Sequence, residues 1–387
     1  MKDQSEKDNF NIAMIGHKHV PSREGGVEIV VEELSTRMVG LGYKVCCFNR
    51  KCHHVCGKKY DSNNYYKEYK GIKLKSVFTV NIKGLAAVSS SFVAAIGSVM
   101  GKYDIVHFHA EGPCAMMWLP KLFGKHCIAT IHGLDWQREK WQGNFGAKFI
   151  KLGEKVAVKY ADEIIVLSKN TKKYFKEEYG VETSYIPNGV NIPEKKSNAK
   201  IIFDEFRLEK DSYILYLGRL VPEKGLRYLI EAFKGTNTNK KLVIAGGTSD
   251  SSDFVKEIKE LCKYDERIIF TGFVSGNKLN ELYSNAYIYV LPSDVEGMPL
   301  SLLEAMAYEN CILVSNIEEC TEVVEDKALI FEKGNVEDLK IKLQYLCDNP
   351  HIVNIYRRNT KEFVRNKYNW DKIVDATLQL YNKVKNV

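Results

Sequence analysis

The chain has 387 residues, 45% of them hydrophobic and 27% charged, which is ordinary for a folded protein but too long for one average domain. Its ten cysteines follow no disulfide-module spacing, which excludes a disulfide scaffold and fits reduced thiols in a cytoplasmic protein. The net charge of +7 is unevenly shared: 28 Lys and Arg against 19 Asp and Glu through Val190 (+9), then 28 against 30 (−2).

Met1 to Asn9 is polar and lacks the apolar core of a secretory leader, and no apolar run is long enough to cross a bilayer. A cytoplasmic protein is expected, attached at most to the inner face of a membrane. The basic first half suits an anionic partner, a membrane surface or a lipid diphosphate; no nucleic-acid motif accompanies it, so no nucleic-acid partner is expected. Cys52-His-His-Val-Cys56 has no second ligand cluster beside it, and no metal site is assigned there.

Phe10–Ile15 reads as a buried strand, Val27–Val39 has helical periodicity, and Tyr43–Phe48 is the next strand. This is one βαβ unit of a doubly wound sheet. In its loop, Gly25 and Gly26 let backbone approach a phosphate at the following helix; a plain turn is the other reading. Gly71–Val77 alternates like a strand, and Leu85–Met100 reads as an amphipathic helix. Asp104–His109 is a strand whose carboxyl end delivers His107, His109 and then Glu111 to the crevice, unless the histidines are packed core groups. Cys127–Ile131 is followed by His132 and by Trp136, Arg138, Lys140 and Trp141. Aromatic faces stack on sugars and cations hold phosphate, so this cluster suits an acceptor; a helix start with a hydrophobic anchor is the alternative. A helix over Lys155–Tyr160 and a strand over Glu163–Leu167 complete the first domain. It runs over residues 1–190, with a polar linker at 191–200.

The second domain, 201–387, opens with strand Tyr213–Leu217, the loop Gly218–Gly225 and a helix carrying Leu226, Leu229, Ile230 and Phe233. Arg219 and Lys224 on that loop place two cations where a departing diphosphate needs countercharge, without a metal. Strands Lys241–Ala245, Ile268–Val274 and Tyr287–Leu291 lead to Asp294-Val-Glu-Gly-Met-Pro-Leu-Ser-Leu-Leu-Glu-Ala-Met-Ala307. Pro299 suits a first helical position, so the helix N-terminus at Met298–Leu300 favours a phosphate. Glu296 in the loop and Glu304 within the helix frame that place, and carboxylates accept paired hydrogen bonds from sugar diols. Strands Cys311–Ser315 and Ala328–Phe331, then helices from Val336, finish the chain.

Glu296-Gly-Met-Pro-Leu-Ser-Leu-Leu-Glu304 resembles the E-x7-E signature of retaining glycosyltransferases of family 4 (glycosyl transferases group 1). Gly25-Gly26, His132 and Arg219…Lys224 match further signals of that family, in the same order. The resemblance implies an α/β architecture of GT-B type, two Rossmann-like doubly wound domains facing a central cleft, with the last helix crossing back to the first domain. It implies a nucleoside-diphosphate sugar as donor, and a glycan or lipid-linked acceptor of surface polysaccharide or glycoconjugate synthesis. Gly25, Gly26, Arg219, Lys224, Val274, Glu296, Gly297, Met298, Pro299, Leu300 and Glu304 would bind the donor. His109, Trp136, Arg138 and Lys140 would meet the acceptor, and His132, Glu296, Arg219 and Lys224 would serve catalysis. Asp294-Val-Glu296 approaches an acidic metal motif, yet the two cations already supply countercharge, so no cofactor and no metal are expected. A sugar-nucleotide epimerase of the same architecture, or a non-catalytic sugar-nucleotide-binding partner, are the alternatives.

The charge division further suggests reversible, salt-sensitive contact with an anionic membrane through the first domain, without insertion. Lys58, Lys59, Lys67, Lys70, Lys73 and Lys75 are the candidates for it.

Overall fold

The structure, a computed structural model, describes residues 10–51, 67–80, 82, 85–139, 145–194, 198–247 and 252–386. These fall into two compact units. One comprises the described residues up to Asn188 and again from Trp370; the other comprises those of Gly189–Asn369.

In the first unit the described strands are β1 (Asn11–Ile15), β2 (Lys44–Arg50), β3 (Glu68–Tyr69), β4 (Ile72–Val77), β5 (Ile105–His109), β6 (His126–Ile131), β7 (Glu163–Val166) and β8 (Ser184–Tyr185). They form one sheet in the order β3-β4-β2-β1-β5-β6-β7-β8, parallel except for the β3–β4 hairpin. The second unit holds β9 (Tyr213–Leu217), β10 (Lys241–Ala245), β11 (Ile268–Gly272), β12 (Ile288–Leu291), β13 (Cys311–Ser315) and β14 (Leu329–Phe331), all parallel, in the order β11-β10-β9-β12-β13-β14. Interior strands are continuous apolar runs because helices cover both faces of a parallel sheet. Ile12–Ile15, Ile214–Tyr216 and Ile312–Val314 accordingly have no exposed surface.

The strand order reverses between β1 and β5, and again between β9 and β12. Ligands of doubly wound sheets bind at the carboxyl ends of strands beside such a reversal. Gly16, His109 and His132 follow or end strands at the first reversal or next to it; Arg219 and Glu296 follow the strands that flank the second.

Some element boundaries differ from expectation. Pro299 is not the first helical residue but the extended residue before it, at φ −75° and ψ 109°, and the helix is Leu300–Ala307. Its ring fixes only φ, which suits either position. Val274 is not in a strand: β11 stops at Gly272, whose φ of +70° turns the chain. The helix expected over Lys155–Tyr160 begins earlier, at Phe145. Val190 belongs to the second unit, where its N–H donates to the Tyr368 carbonyl (2.8 Å) and it bridges to Asn369. Among the described residues no helix is long and apolar enough to cross a membrane.

Candidate active site

In the second unit, the loops after β9 and β12 are held together by their backbones. Gly225 adopts φ +66°, and a Cβ there would lie 1.8 Å from the Pro292 carbonyl oxygen, so only glycine permits this approach. The Asp294 N–H donates to the Glu223 carbonyl at 2.9 Å, and Ser315 Oγ donates to the Ser293 carbonyl at 2.6 Å. Across this seam Lys224 Nζ forms an ion pair with Glu296 Oε1, which also accepts from Ser293 Oγ at 2.7 Å. The two charged side chains are 13% and 7% exposed, so the pair is shielded from water and from screening salt. The sequence treats Lys224 and Glu296 as separate agents; folding makes them one unit.

Arg219 is half-buried on the same loop, and its carbonyl accepts from the Tyr216 hydroxyl at 2.8 Å. Gly246, at φ +142°, lies so close to Gly218 that a Cβ would sit 1.8 Å from the Gly218 carbonyl oxygen. The loops after β9, β10 and β11 are thereby stitched together, through Gly218 N–H to Ala245 and Gly246 N–H to Gly272. Val274, buried, follows directly. Gly297, Met298 and Pro299 lead into Leu300–Ala307, on which Tyr283 donates its hydroxyl to Glu304 Oε2 at 3.0 Å. Burial raises the Tyr283 phenol well above its ordinary value, so it stays protonated and orients the carboxylate.

In the first unit, Gly16 has φ +113°, and a Cβ there would fall 2.1 Å from the His109 carbonyl oxygen. The ends of β1 and β5 therefore touch. Gly25 is extended (φ −153°) and caps the helix Gly26–Gly40. A Cβ at Gly25 would meet Glu28 Oε2 at 2.1 Å, while Glu28 Oε1 accepts from the Lys18 N–H at 2.8 Å. The room left by Gly25 thus takes a carboxylate of its own helix.

His109 is fully buried, stacks on His107 (4.2 Å between rings) and meets His132 Nε2 through Nδ1 at 3.0 Å. Through that contact it holds the ring of His132, which is the partly exposed member of the pair. His107 is locked by the Tyr381 hydroxyl (2.5 Å) and by Thr130 Oγ1 (2.7 Å). Burial pushes His107 down to about 3 and His132 to about 4, and holds His109 well below 6.5. The folded protein therefore holds these imidazoles neutral where the unfolded chain protonates them. Their stability contribution is present above pH 6.5 and is lost as pH falls toward 3 to 4. For His107 the loss between pH 7.5 and pH 5 is expected to be about 2 kcal/mol. Denaturant unfolding at both pH values checks this: His107→Gln should shrink the difference, and an unchanged difference would remove His107 from the account.

Trp136 lies in the loop after His132. It packs on the core of the first unit, with Lys151 Nζ 4.0 Å above its ring and Tyr174 beside it, the arrangement of the hydrophobic-anchor alternative. Arg138 pairs with Asp135 at 2.7 Å. Lys140 and Trp141 lie outside the described residues, as do Cys52–Cys56, Lys58 and Lys59. Sequence reasoning noted Glu111 without giving it a role. It is fully buried, its Oε2 accepts the Asp135 N–H at 2.8 Å, and it thereby fixes the loop after His132. Burial, with Asp135 and Glu154 close by, raises its carboxyl well above the usual range. Among the described residues no group of three or more His, Cys, Asp or Glu is placed to hold a metal ion.

Residues 24–193 match the family described as Glycosyltransferase Family 4, and residues 197–367 match Glycosyl transferases group 1. An uncharacterized glycosyltransferase of Methanocaldococcus jannaschii is 25% identical, over 96% of this chain and 98% of that protein. The Escherichia coli UDP-Gal:alpha-D-GlcNAc-diphosphoundecaprenol alpha-1,3-galactosyltransferase is 28% identical, over 72% and 75%. The crystal structure of Anabaena HepE with UDP and glucose superposes with a TM-score of 0.79 at 14% identity, over 97% of this chain and 100% of that one. Both halves match by sequence, and the superposition spans nearly the whole chain. The chain belongs to the group 1, family 4 glycosyltransferases, built on the GT-B fold.

Proposed function

We propose that this glycosyltransferase is a retaining enzyme that moves a sugar from a nucleoside-diphosphate sugar to a glycan or lipid-linked acceptor in bacterial polysaccharide or glycoconjugate synthesis. The observation that carries it is the shielded Lys224–Glu296 pair beside the N-terminus of helix Leu300–Ala307. A cation and a helix N-terminus suit a diphosphate, and the adjoining carboxylate suits sugar hydroxyls. The relatives agree in kind, since HepE is seen with UDP and the Escherichia coli relative is named for a UDP-sugar and a diphosphate-lipid acceptor.

In this reading Arg219, Lys224 and the Met298–Leu300 turn stabilise the leaving diphosphate. Glu304 holds the ribose hydroxyls, Glu296 the sugar hydroxyls, and the backbone at Val274 the base. Gly25, Gly26 and His132 border the transferred sugar, with His109 setting the orientation of His132. The acceptor oxygen forms its bond to the anomeric carbon on the face that the diphosphate leaves, and its proton passes to a phosphate oxygen. No metal enters, because two side-chain cations already balance the leaving group.

A thermal-shift panel of nucleotide sugars in EDTA identifies the donor, since a ligand at 100 times its Kd stabilises by about 2.7 kcal/mol. Proton NMR of the product made from that donor then reads the anomeric configuration. An inverted product would overturn the retaining assignment.

A further inference from the structure

The short helix Glu111–Cys114 opens behind a strained residue. Ala110 stands at φ 71° and ψ 156°, a region nearly reserved for glycine, and the turn carries Glu111 from the end of β5 into the interior. Such strain persists only where the surroundings over-determine it. Gly153, in helix Phe145–Tyr160, comes so close that a Cβ would lie 1.9 Å from the Glu111 carbonyl oxygen. Beside it Glu154 is fully buried, as Glu111 is, and the two carboxyl groups lie within hydrogen-bonding reach of each other.

Two carboxyl groups bond each other only when a proton lies between them. Their other partners show which one keeps it. Glu154 Oε2 accepts from the hydroxyls of Tyr174 (2.9 Å) and Tyr179 (2.6 Å), and Lys151 Nζ stands 3.3 Å away. Burial raises both phenols, so they remain donors. Glu111 Oε2 receives one neutral donor, the Asp135 N–H at 2.8 Å. The titratable groups that face Glu111 are Glu154, Asp135 and Cys114, none of them a cation, and Arg138 pairs with Asp135 at 2.7 Å. Oε1 of each glutamate is buried and receives no donor from any other described residue. The negative charge therefore belongs on Glu154 and the proton on Glu111.

We propose that Glu111 is a positioning residue that works as a neutral acid: its proton, shared with Glu154, holds the loop that carries His132. The Glu111 hydroxyl donates to Glu154 Oε1, which leaves Oε2 to accept the Asp135 N–H. That N–H opens the turn Asp135–Gln137, three residues after His132. The same pair reaches the next residue of the turn, since Lys151, the cation of Glu154, lies 4.0 Å over the Trp136 ring. Without the proton, two buried carboxylates would repel at contact and the Asp135 N–H would lose its seat. The consequence for catalysis rests on the reading that places His132 beside the transferred sugar; the shared proton and the held loop do not.

Glu111→Gln tests the proposal, because its amide donates to Glu154 and its carbonyl accepts from Asp135 without a titrating proton. Burial, then Asp135 and Glu154, hold the folded Glu111 carboxyl well above 4.5, where the unfolded chain ionises. Its contribution to stability is present below pH 4.5 and is lost as pH rises toward the folded value, the opposite sign to His107. In denaturant unfolding of the full chain, the ratio of the wild-type unfolding constant to that of Glu111→Gln should rise up to about tenfold per pH unit above 4.5. The histidines are common to both proteins and cancel. The wild-type infrared spectrum at neutral pH should carry a protonated-carboxyl stretch that Glu111→Gln lacks. Hydrogen exchange of residues 132–138 should be unchanged in Glu111→Gln and faster in Glu111→Ala, and kcat should follow it, falling about 100-fold in Glu111→Ala alone. A ratio flat in pH, or no such stretch in wild type, would overturn the shared proton. Exchange as fast in Glu111→Gln as in Glu111→Ala would overturn the positioning. A protein that meets the unfolding, infrared and exchange results but transfers no sugar upholds this proposal and loses the transfer reading.

Discussion

Replacing Lys224 or Arg219 with alanine is expected to lower turnover roughly 100- to 1000-fold at saturating donor, about 3 kcal/mol of barrier. Both cations stand on the loop after β9, where the leaving diphosphate would develop its charge. Lys224 has a second task, because its loss leaves the shielded Glu296 carboxylate with Ser293 as its remaining neutral donor at 2.7 Å. The double variant Lys224→Ala/Glu296→Ala should therefore be little worse than the worse single variant, as residues acting as a unit are not additive. Fully additive losses would separate the two residues. Activity that collapses in EDTA and returns with Mn²⁺ or Mg²⁺ would overturn the metal-free mechanism.

Glu304→Ala is expected to weaken binding of the nucleotide alone by about 1.5–3 kcal/mol, the scale of hydrogen bonds to a charged group. Glu296→Ala should instead spare nucleotide affinity and slow transfer. The motive is geometric: Glu304 lies within the helix Leu300–Ala307 and receives the Tyr283 hydroxyl, whereas Glu296 lies in the preceding loop against Lys224. Tyr283→Phe should give a smaller loss in nucleotide affinity, because it loosens the carboxylate without removing it. Isothermal titration with the nucleoside diphosphate measures all three. Unchanged affinity in Glu304→Ala would remove its ribose role.

The interior strands were legible because a strand covered on both faces leaves an unbroken apolar run, as in Ile214–Tyr216. Helices with narrow buried stripes were not. Lys169–Tyr179 buries only Thr171 and Phe175, so its sequence looks like solvated loop. Which residues the fold puts on loops at strand ends was readable, but their pairings were not. Lys224 and Glu296 are 72 positions apart, and only the adjacency of β9 and β12 joins them. His109 and His132 were within reach: β5 and β6 run parallel with His109 opposite Thr130, two residues before His132. The packing of Trp136 was not readable, because aromatic and basic residues in alternation serve a lid over a core as well as a sugar platform, and its partner Lys151 is fifteen positions on.

The helix Trp370–Lys385 belongs to the first unit, and from it Tyr381 bonds His107 inside the sheet. During synthesis the ribosome must therefore make all of Gly189–Asn369 before the first unit can close. At about 5–20 residues per second that is a delay of roughly 10–40 s. Throughout it, the seat of Trp370, Ile373 and Tyr381 stands open, exposing Val30 and Leu34 and leaving His107 without its phenol. The nascent chain is thus a client for chaperones in that interval, while a fragment ending at Asn188 would retain the defect permanently.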